Sequence, residues 1–395
     1  MYEPARHIAP SSDPWDPVVA QSAIDEIVAD ALARFDAKSF WPVHPLEDNA
    51  ADGMANLYFG AAGVIWALDY LHRNGATTTG HDFTPVLDTL LAAIRAQCAG
   101  LGDYGRYASL LMSDLGVLMV TMRLAPTTTT ADLVYRRIGD NLTLPVLELM
   151  WGTSGSMLAA LFMAEMTGEE RWLAAYRAHA ARLVDDLEDS EFGPLWTQQL
   201  YGQTRRYLGA VHGFAGNMVA LLRGWEELGD AQRERITAAI ACTIPASASV
   251  TDMGANWPAV AVREASPRLV QHCHGAPGMV TVLADFALWI PEIDQLLRSA
   301  GDFIWVTGPL AKGSNLCHGT AGNGYALLKL HRRFGEPVWL ERARAFAMTA
   351  IAQCRADRAL HDRGRYSLWT GDPGLAIYLW DCLRTEPRFP TTDVF

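Results

Sequence analysis

Two stretches of this chain, Gln271-His272-Cys273-His274-Gly275-Ala276-Pro277-Gly278 and Asn315-Leu316-Cys317-His318-Gly319-Thr320-Ala321-Gly322, each set a Cys-His pair in front of a Gly-x-x-Gly turn. Thiolate sulfur and imidazole nitrogen are preferred zinc ligands, and a zinc site that does chemistry takes three protein ligands and leaves a fourth position open. The two pairs supply enough donors. They lack the close spacing of a structural finger, so the fold has to bring them together. A Cys2His site donates two anionic sulfurs, which suits the metal to holding a thiolate better than to splitting water. A cation there lowers the pKa of an incoming thiol, which at its ordinary value of about 8.5 is mostly protonated at neutral pH.

A third imidazole shares the register of this doublet. In Gly209-Ala210-Val211-His212-Gly213-Phe214-Ala215-Gly216, His212 stands one residue before its Gly, as His274 and His318 do before theirs. A shared register brings all three to one end of the fold. In Glu148-Leu149-Met150-Trp151-Gly152 a carboxylate stands four residues before the Gly. Glu148 can orient or exchange a proton with His212, or cap a helix.

The elements that must position these groups follow from the same turn. Gly-x-x-Gly recurs at 60–63, 152–155, 213–216, 275–278, 319–322 and 371–374, with a degenerate copy at 113–116, giving seven units. Behind each turn apolar residues fall at helical spacing, as in Val64, Ile65, Leu68 and Leu71. These predict seven amphipathic inner helices. Between them, segments 18–35, 83–98, 131–140, 171–188, 231–243, 292–305 and 337–354 have charged faces and predict seven outer helices. Hairpins of this kind cannot bury an apolar face alone and do so mutually when closed into a ring. The fold class expected is all-α, an (α/α)7 toroid, with 18–385 as a single domain, 1–17 as a mobile Pro-rich arm and 386–395 as a C-terminal tail. The longer connections 189–211 and 244–272 lead to the turns that carry His212 and Cys273, and the first is expected to form short strands or a lid.

The 395 residues are 50% hydrophobic and 19% charged, with net charge −12. Such a balance allows a large core and argues against a nucleic-acid partner. No run of about 18 uninterrupted apolar residues occurs, so no membrane span is expected, and without a secretion signal the expected location is the cytoplasm. The remaining cysteines, Cys98, Cys242, Cys354 and Cys382, are expected to be buried thiols on helices.

With these residues in view, the chain resembles the lanthionine synthetase C-like (LanC-like) family of α/α toroids. The resemblance runs from Tyr58-Phe59-Gly60 to Ser367-Leu368-Trp369-Thr370-Gly371 and rests most on Cys273-His274-Gly275-Ala276-Pro277-Gly278, Leu316-Cys317-His318-Gly319 and Tyr207-Leu208-Gly209-Ala210-Val211-His212-Gly213. It implies Cys273, Cys317 and His318 as Zn²⁺ ligands, His212 as the acid or base, and His274 as a residue beside the ligands. The reaction implied is conjugate addition of a thiol to dehydroalanine or dehydrobutyrine in a peptide or protein, forming a thioether. Peptide-cyclising members usually carry Asp where this chain has Glu148. The Glu form resembles the eukaryotic-type branch, whose members bind glutathione. Lys312 matches a glutathione-contacting lysine of that branch, and Arg365, Arg363 and Arg6 are further cations of the same kind.

Three functional classes are compatible with toroids of this kind. The first is a zinc-dependent thioether-forming enzyme using glutathione or a peptide cysteine, with lanthipeptide ring closure as a variant. The second is a sensor or adaptor that keeps zinc and glutathione without turnover; an acid-base residue at His212 beside Glu148 favours the enzyme. A toroidal glycosidase would need paired carboxylates on inner turns. Only Glu148, Asp114 and Asp372 are available, and that reading leaves the Cys-His pairs unexplained.

Overall fold

The computed structural model describes residues 1–47, 53–263 and 268–395. Each glycine-led turn starts an inner helix: α2 (Ala61–Arg73), α4 (Asp114–Leu124), α6 (Thr153–Thr167), α8 (Phe214–Arg223), α10 (Ala276–Leu283), α12 (Thr320–Phe334) and α14 (Asp372–Arg384). Alternating with them are the outer helices α1 (Pro17–Ala33), α3 (Leu87–Ala99), α5 (Thr128–Asn141), α7 (Glu170–Asp185), α9 (Asp230–Ser247), α11 (Pro291–Thr307) and α13 (Pro337–His361). The last helix, α14, packs against both α1 and α2, so the two rings close.

The two helix sets bury themselves differently. In α3 the buried residues are Leu87, Leu90, Ile94 and Cys98, a single stripe at helical spacing. The inner helices depart from the expected stripe: every residue of α10 is buried, as is each one from Thr320 to Leu330 in α12. An inner helix touches a neighbour on each side, the outer ring behind and the packed axis in front, so no face is left for water. Cys242 also departs from expectation, being exposed on the outer helix α9, where only one face meets the core.

The repeated second glycine has a steric cause. At Gly63, Gly116, Gly155, Gly216, Gly278, Gly322 and Gly374, a Cβ would lie between 1.8 and 2.9 Å from the carbonyl oxygen of the residue six positions earlier. At Gly63 it would also come within 2.8 Å of Leu368 Cβ, in the turn at the far end of the sequence. Close approach lets the turns bond to one another around the axis. Tyr58 N–H donates to Leu111 O (3.0 Å), Leu149 to Val211 (3.3 Å), Cys273 to Cys317 (3.1 Å), Cys317 to Trp369 (2.9 Å) and Trp369 to Tyr58 (2.9 Å). The remaining two steps are spanned by the Ser109 hydroxyl, which donates to Met150 O, and by Gly209, where a Cβ would sit 2.0 Å from Cys273 O.

The connection 189–211 forms an antiparallel hairpin, β1 (Gln198–Leu200) with β2 (Gln203–Arg205), turned by Tyr201 and Gly202 at φ 52° and 73°. Two positive φ values match the right-handed twist of the strands. A second hairpin pairs β3 (Ser249–Thr251) with β4 (Gly254–Asn256), while residues 264–267 of that connection lie outside the described set. The 1–17 segment, expected as a mobile arm, lies against the body: Ile8 N–H donates to Pro309 O (2.9 Å) and Ala311 N–H to Arg6 O (2.9 Å). In 386–395, Phe389 is buried and stacks on His272 at 4.3 Å, and Asp393 pairs with the buried Lys329 at 2.5 Å. No helix among the described residues is long and apolar enough to cross a membrane.

A methyl group at the second glycine should therefore cost more than helix propensity returns. Gly116→Ala would meet Leu110 O at 2.2 Å and is expected to destabilise by about 1–3 kcal/mol. Gly139→Ala in α5 meets nothing within 4 Å and is expected to stabilise by about 0.5–1 kcal/mol. Urea denaturation of both variants checks the contrast, and equal effects would remove the steric account of the repeat.

Candidate functional site

The inner turns share a register that assigns a job to each position. Counting back from the residue that caps the inner helix, the fourth position is Asn56, Ser109, Glu148 or Asn315 in four of the turns, and its side chain accepts the N–H three residues on: Phe59 (2.9 Å), Met112 (2.8 Å), Trp151 (2.5 Å) and His318 (3.1 Å). These bonds tie each turn before its helix begins. The second position back holds Tyr58, Cys273, Cys317 and Trp369 in the first, fifth, sixth and seventh turns, and the inter-turn backbone bonds bring these residues together.

Cys273, Cys317 and His318 offer ligand atoms that all lie within 4.8 Å of one another. Gln271 Nε2 donates to Cys273 Sγ at 2.9 Å, and Arg6 in turn donates to Gln271 Oε1 at 3.3 Å. The Tyr58 hydroxyl meets the Cys317 thiol. The thiols interact: the hydrogen bond from Cys317 holds Cys273 well below the usual thiol range despite burial, with His318 and His274 assisting. Burial and the neighbouring Cys273 push Cys317 up. A second ionisation here is opposed by burial and by like charge, and a divalent cation removes both objections. Two buried soft sulfurs with one imidazole are a donor set that fits zinc.

Beside this cluster, His212 Nδ1 lies 2.7 Å from Glu148 Oε2, and Glu148 is fully buried. The carboxylate also accepts from the N–H groups of Met150 (3.0 Å) and Trp151 (2.5 Å), so it caps its turn and faces the imidazole at once. An ionised carboxylate only accepts, so Nδ1 carries the proton and Nε2 of neutral His212 is left as the basic nitrogen. Burial pushes the imidazole down, but the charge and hydrogen bond of Glu148, with Cys273 adding, outweigh it and hold His212 above its ordinary value. His274, with its ring 6.4 Å from that of His212, has a buried Nδ1 without a hydrogen-bond partner. The hairpin brings Tyr201 edge-on to His212 at 5.7 Å, and its hydroxyl accepts from Trp151 Nε1 at 2.8 Å.

The expected cations take different situations. Lys312 is exposed on the wall of an open cavity of about 790 Å³, which it shares with Asn315, Gln353, Asp357 and Arg365. Arg365 is buried, and its guanidinium is engaged by Glu47 Oε1 (2.7 Å) and Leu46 O (3.0 Å). Arg363 donates to Val43 O at 3.4 Å. Residue-by-residue reading of the sequence did not single out Gln271 and Tyr58. Their signal was the register itself, since Tyr58 stands as far before Gly60 as Cys317 does before Gly319.

The family described as Lanthionine synthetase C-like protein matches residues 124–394, and the chain belongs to that family. Among curated relatives, it is 28% identical over 261 residues to Glutathione S-transferase LANCL1 of Danio rerio, covering 62% of each chain. It is 30% identical over 274 residues to LanC-like protein GCL1 of Arabidopsis thaliana, covering 62% of this chain and 58% of that one. The chain thus spans about three fifths of the length of these relatives. Among solved structures, nisin cyclase superposes with a TM-score of 0.60 at 15% identity, covering 94% of this chain and 98% of its own, a likeness of fold.

The raised His212 value has a pH consequence with a definite sign. The pair stabilises the fold below the ordinary imidazole pKa of about 6.5, and this contribution is lost as pH rises through the folded value. In Glu148→Gln burial remains and the countercharge is gone, so the His212 pKa is expected to fall below the ordinary value, with a larger loss of stability at pH 6 than at pH 9. NMR titration of His212 and urea midpoints at both pH values check this; an unmoved pKa would exclude the electrostatic role of Glu148.

Proposed function

We propose that this protein adds a thiol, glutathione or a peptide cysteine, to dehydroalanine or dehydrobutyrine residues, with Cys273, Cys317 and His318 holding a zinc ion. The observation that carries the reading is the approach of two sulfurs and an imidazole to within 4.8 Å, next to a histidine already bonded to a buried carboxylate. Zinc so held would take the incoming thiol as its thiolate and leave the reaction otherwise to the protein. The relative named a glutathione S-transferase supports a glutathione thiol.

The addition needs one proton moved and no leaving group. The sulfur forms a bond to the β-carbon, the carbon–carbon double bond gives its electron pair to the α-carbon, and the thiol proton ends on that carbon. His212 Nε2 takes the proton and returns it, while Glu148 fixes the ring through Nδ1 and stabilises the imidazolium between the two transfers. Glu148 is fully buried and held by the Met150 and Trp151 N–H groups, which keeps that countercharge in place. Lys312 supplies a positive charge for a glutathione carboxylate in the cavity, and Arg365, neutralised by Glu47, shapes the wall beside it.

Incubation of the purified protein with glutathione and a dehydroalanine peptide should give the mass of the thioether adduct. Absence of adduct from zinc-loaded protein would favour a zinc- and glutathione-binding sensor. Cys317→Ala is expected to lose the metal of this site, while His212→Ala keeps it and loses turnover by about 10²–10⁴-fold. Full activity in the His212 variant would remove it from the mechanism. Lys312→Ala should raise KM for glutathione by roughly tenfold, the worth of one charge-assisted hydrogen bond, with kcat unchanged; an unchanged KM would place the glutathione carboxylates elsewhere.

A further inference from the structure

A second cluster of ligand atoms lies apart from the thiols. His44, in the segment between α1 and α2, meets Asp357 and His361, which stand four residues apart on one face of α13, and their ligand atoms all lie within 4.8 Å of one another. His44 Nε2 is 3.4 Å from Asp357 Oδ2, and His361 Nε2 is 3.4 Å from Asp357 Oδ1, so the carboxylate turns one oxygen to each ring. Both distances exceed the roughly 2.7–3.2 Å of an N–H···O hydrogen bond. Bonds of about 2.0–2.1 Å to a divalent cation would set a ring nitrogen and a carboxylate oxygen about 3.4 Å apart, and because the two rings face different oxygens, one ion held by both would take the carboxylate through both oxygens or turn it onto one. His44 is 1% exposed, and its Nε2 is buried with no hydrogen-bond partner. Such an atom needs something to bond, and here it points at a carboxylate and a second imidazole.

We infer that His44, Asp357 and His361 form a second divalent-metal site, of the nitrogen- and oxygen-donor kind that takes zinc, cobalt or a similar transition ion. One contact has to change. Leu46 N–H donates to His44 Nδ1 at 3.2 Å, which puts the ring proton on Nε2; on binding, the proton moves to Nδ1 and that bond opens. No net proton is released by the tautomer change. The ion would fasten the 36–47 segment to α13, and through it Glu47, whose Oε1 accepts from Arg365, Ser367 and Thr370 next to the seventh turn. Asp357 also lines the cavity that holds Lys312, so the clamp would stiffen one wall of it.

The test is metal stoichiometry on the full chain without an affinity tag. After loading with Co²⁺ and removal of excess ion, elemental analysis should find two ions per chain. Cys317→Ala should keep one and lose the sulfur-to-cobalt charge-transfer band, while Asp357→Asn should keep one and retain the band. His361→Gln serves in place of Asp357→Asn if thermal melting shows that variant to be unfolded. NMR of the His44 ring in the zinc-loaded Cys317→Ala protein should show the Nδ1–H tautomer. One ion that survives Cys317→Ala and leaves with Asp357→Asn would uphold this site and sink the thiolate one. One ion in the native chain and none in Cys317→Ala, or two ions retained in both carboxylate and imidazole variants, would overturn the inference.

Discussion

The arrangement depends on how closely one turn of the inner ring approaches the next. At the second glycine of every turn, the space a side chain would fill is taken by a carbonyl oxygen of the same turn, so backbones come together where side chains would hold them apart. Main-chain hydrogen bonds then link turn to turn, and the chain from Cys273 to Cys317 to Trp369 to Tyr58 is one continuous run of them. The sulfurs meet because the peptide groups that carry them are bonded to each other. The chemistry of the site is thus a by-product of ring closure, which no single hairpin could supply.

Under the proposed function, electrostatics divides the axis into two adjoining tasks. Around Cys273 and Cys317, uncharged donors, the Gln271 amide and the Tyr58 hydroxyl, meet the sulfurs without cancelling their negative charge, which stays available to a cation. At His212 the countercharge is a full carboxylate buried behind the ring, and it makes the imidazolium stable where burial alone would not. The two tasks need different partners: a metal ligand must be anionic or neutral, and a proton carrier must exist in both of its states. One fold supplies both by changing only the residues at fixed positions of a repeated turn.

Much of this was legible in the sequence because the turn and its helix are local. The Cys-His pairs, His212 and Glu148 lie within a few residues of a glycine whose position fixes their register, and helical spacing marks both rings. What was not legible depends on distant partners. The pairing of Arg365 with Glu47 joins residues 318 apart, and it consumes the charge expected for a ligand. Tyr58 reads as an ordinary core aromatic until closure sets the first turn beside the sixth. Asp357 and His361 read as part of a solvated helix face until His44 is placed over them. The all-round burial of the inner helices escaped periodicity for a related reason: Thr320 and Asn323 in α12 are polar yet fully buried, the Thr320 hydroxyl donating to Gln353 Oε1 and Asn323 Nδ2 to Val270 O. The second position of the turn register is visible as a pattern only when all seven turns are superposed.

Everything proposed for the axis requires residues on separate turns to share one ion through two sulfurs and a nitrogen. X-ray absorption at the zinc edge of the zinc-loaded Asp357→Asn protein measures this directly. Two sulfur scatterers at about 2.3 Å and nitrogen at about 2.0–2.1 Å are expected. A coordination sphere of nitrogen and oxygen without sulfur would contradict that requirement.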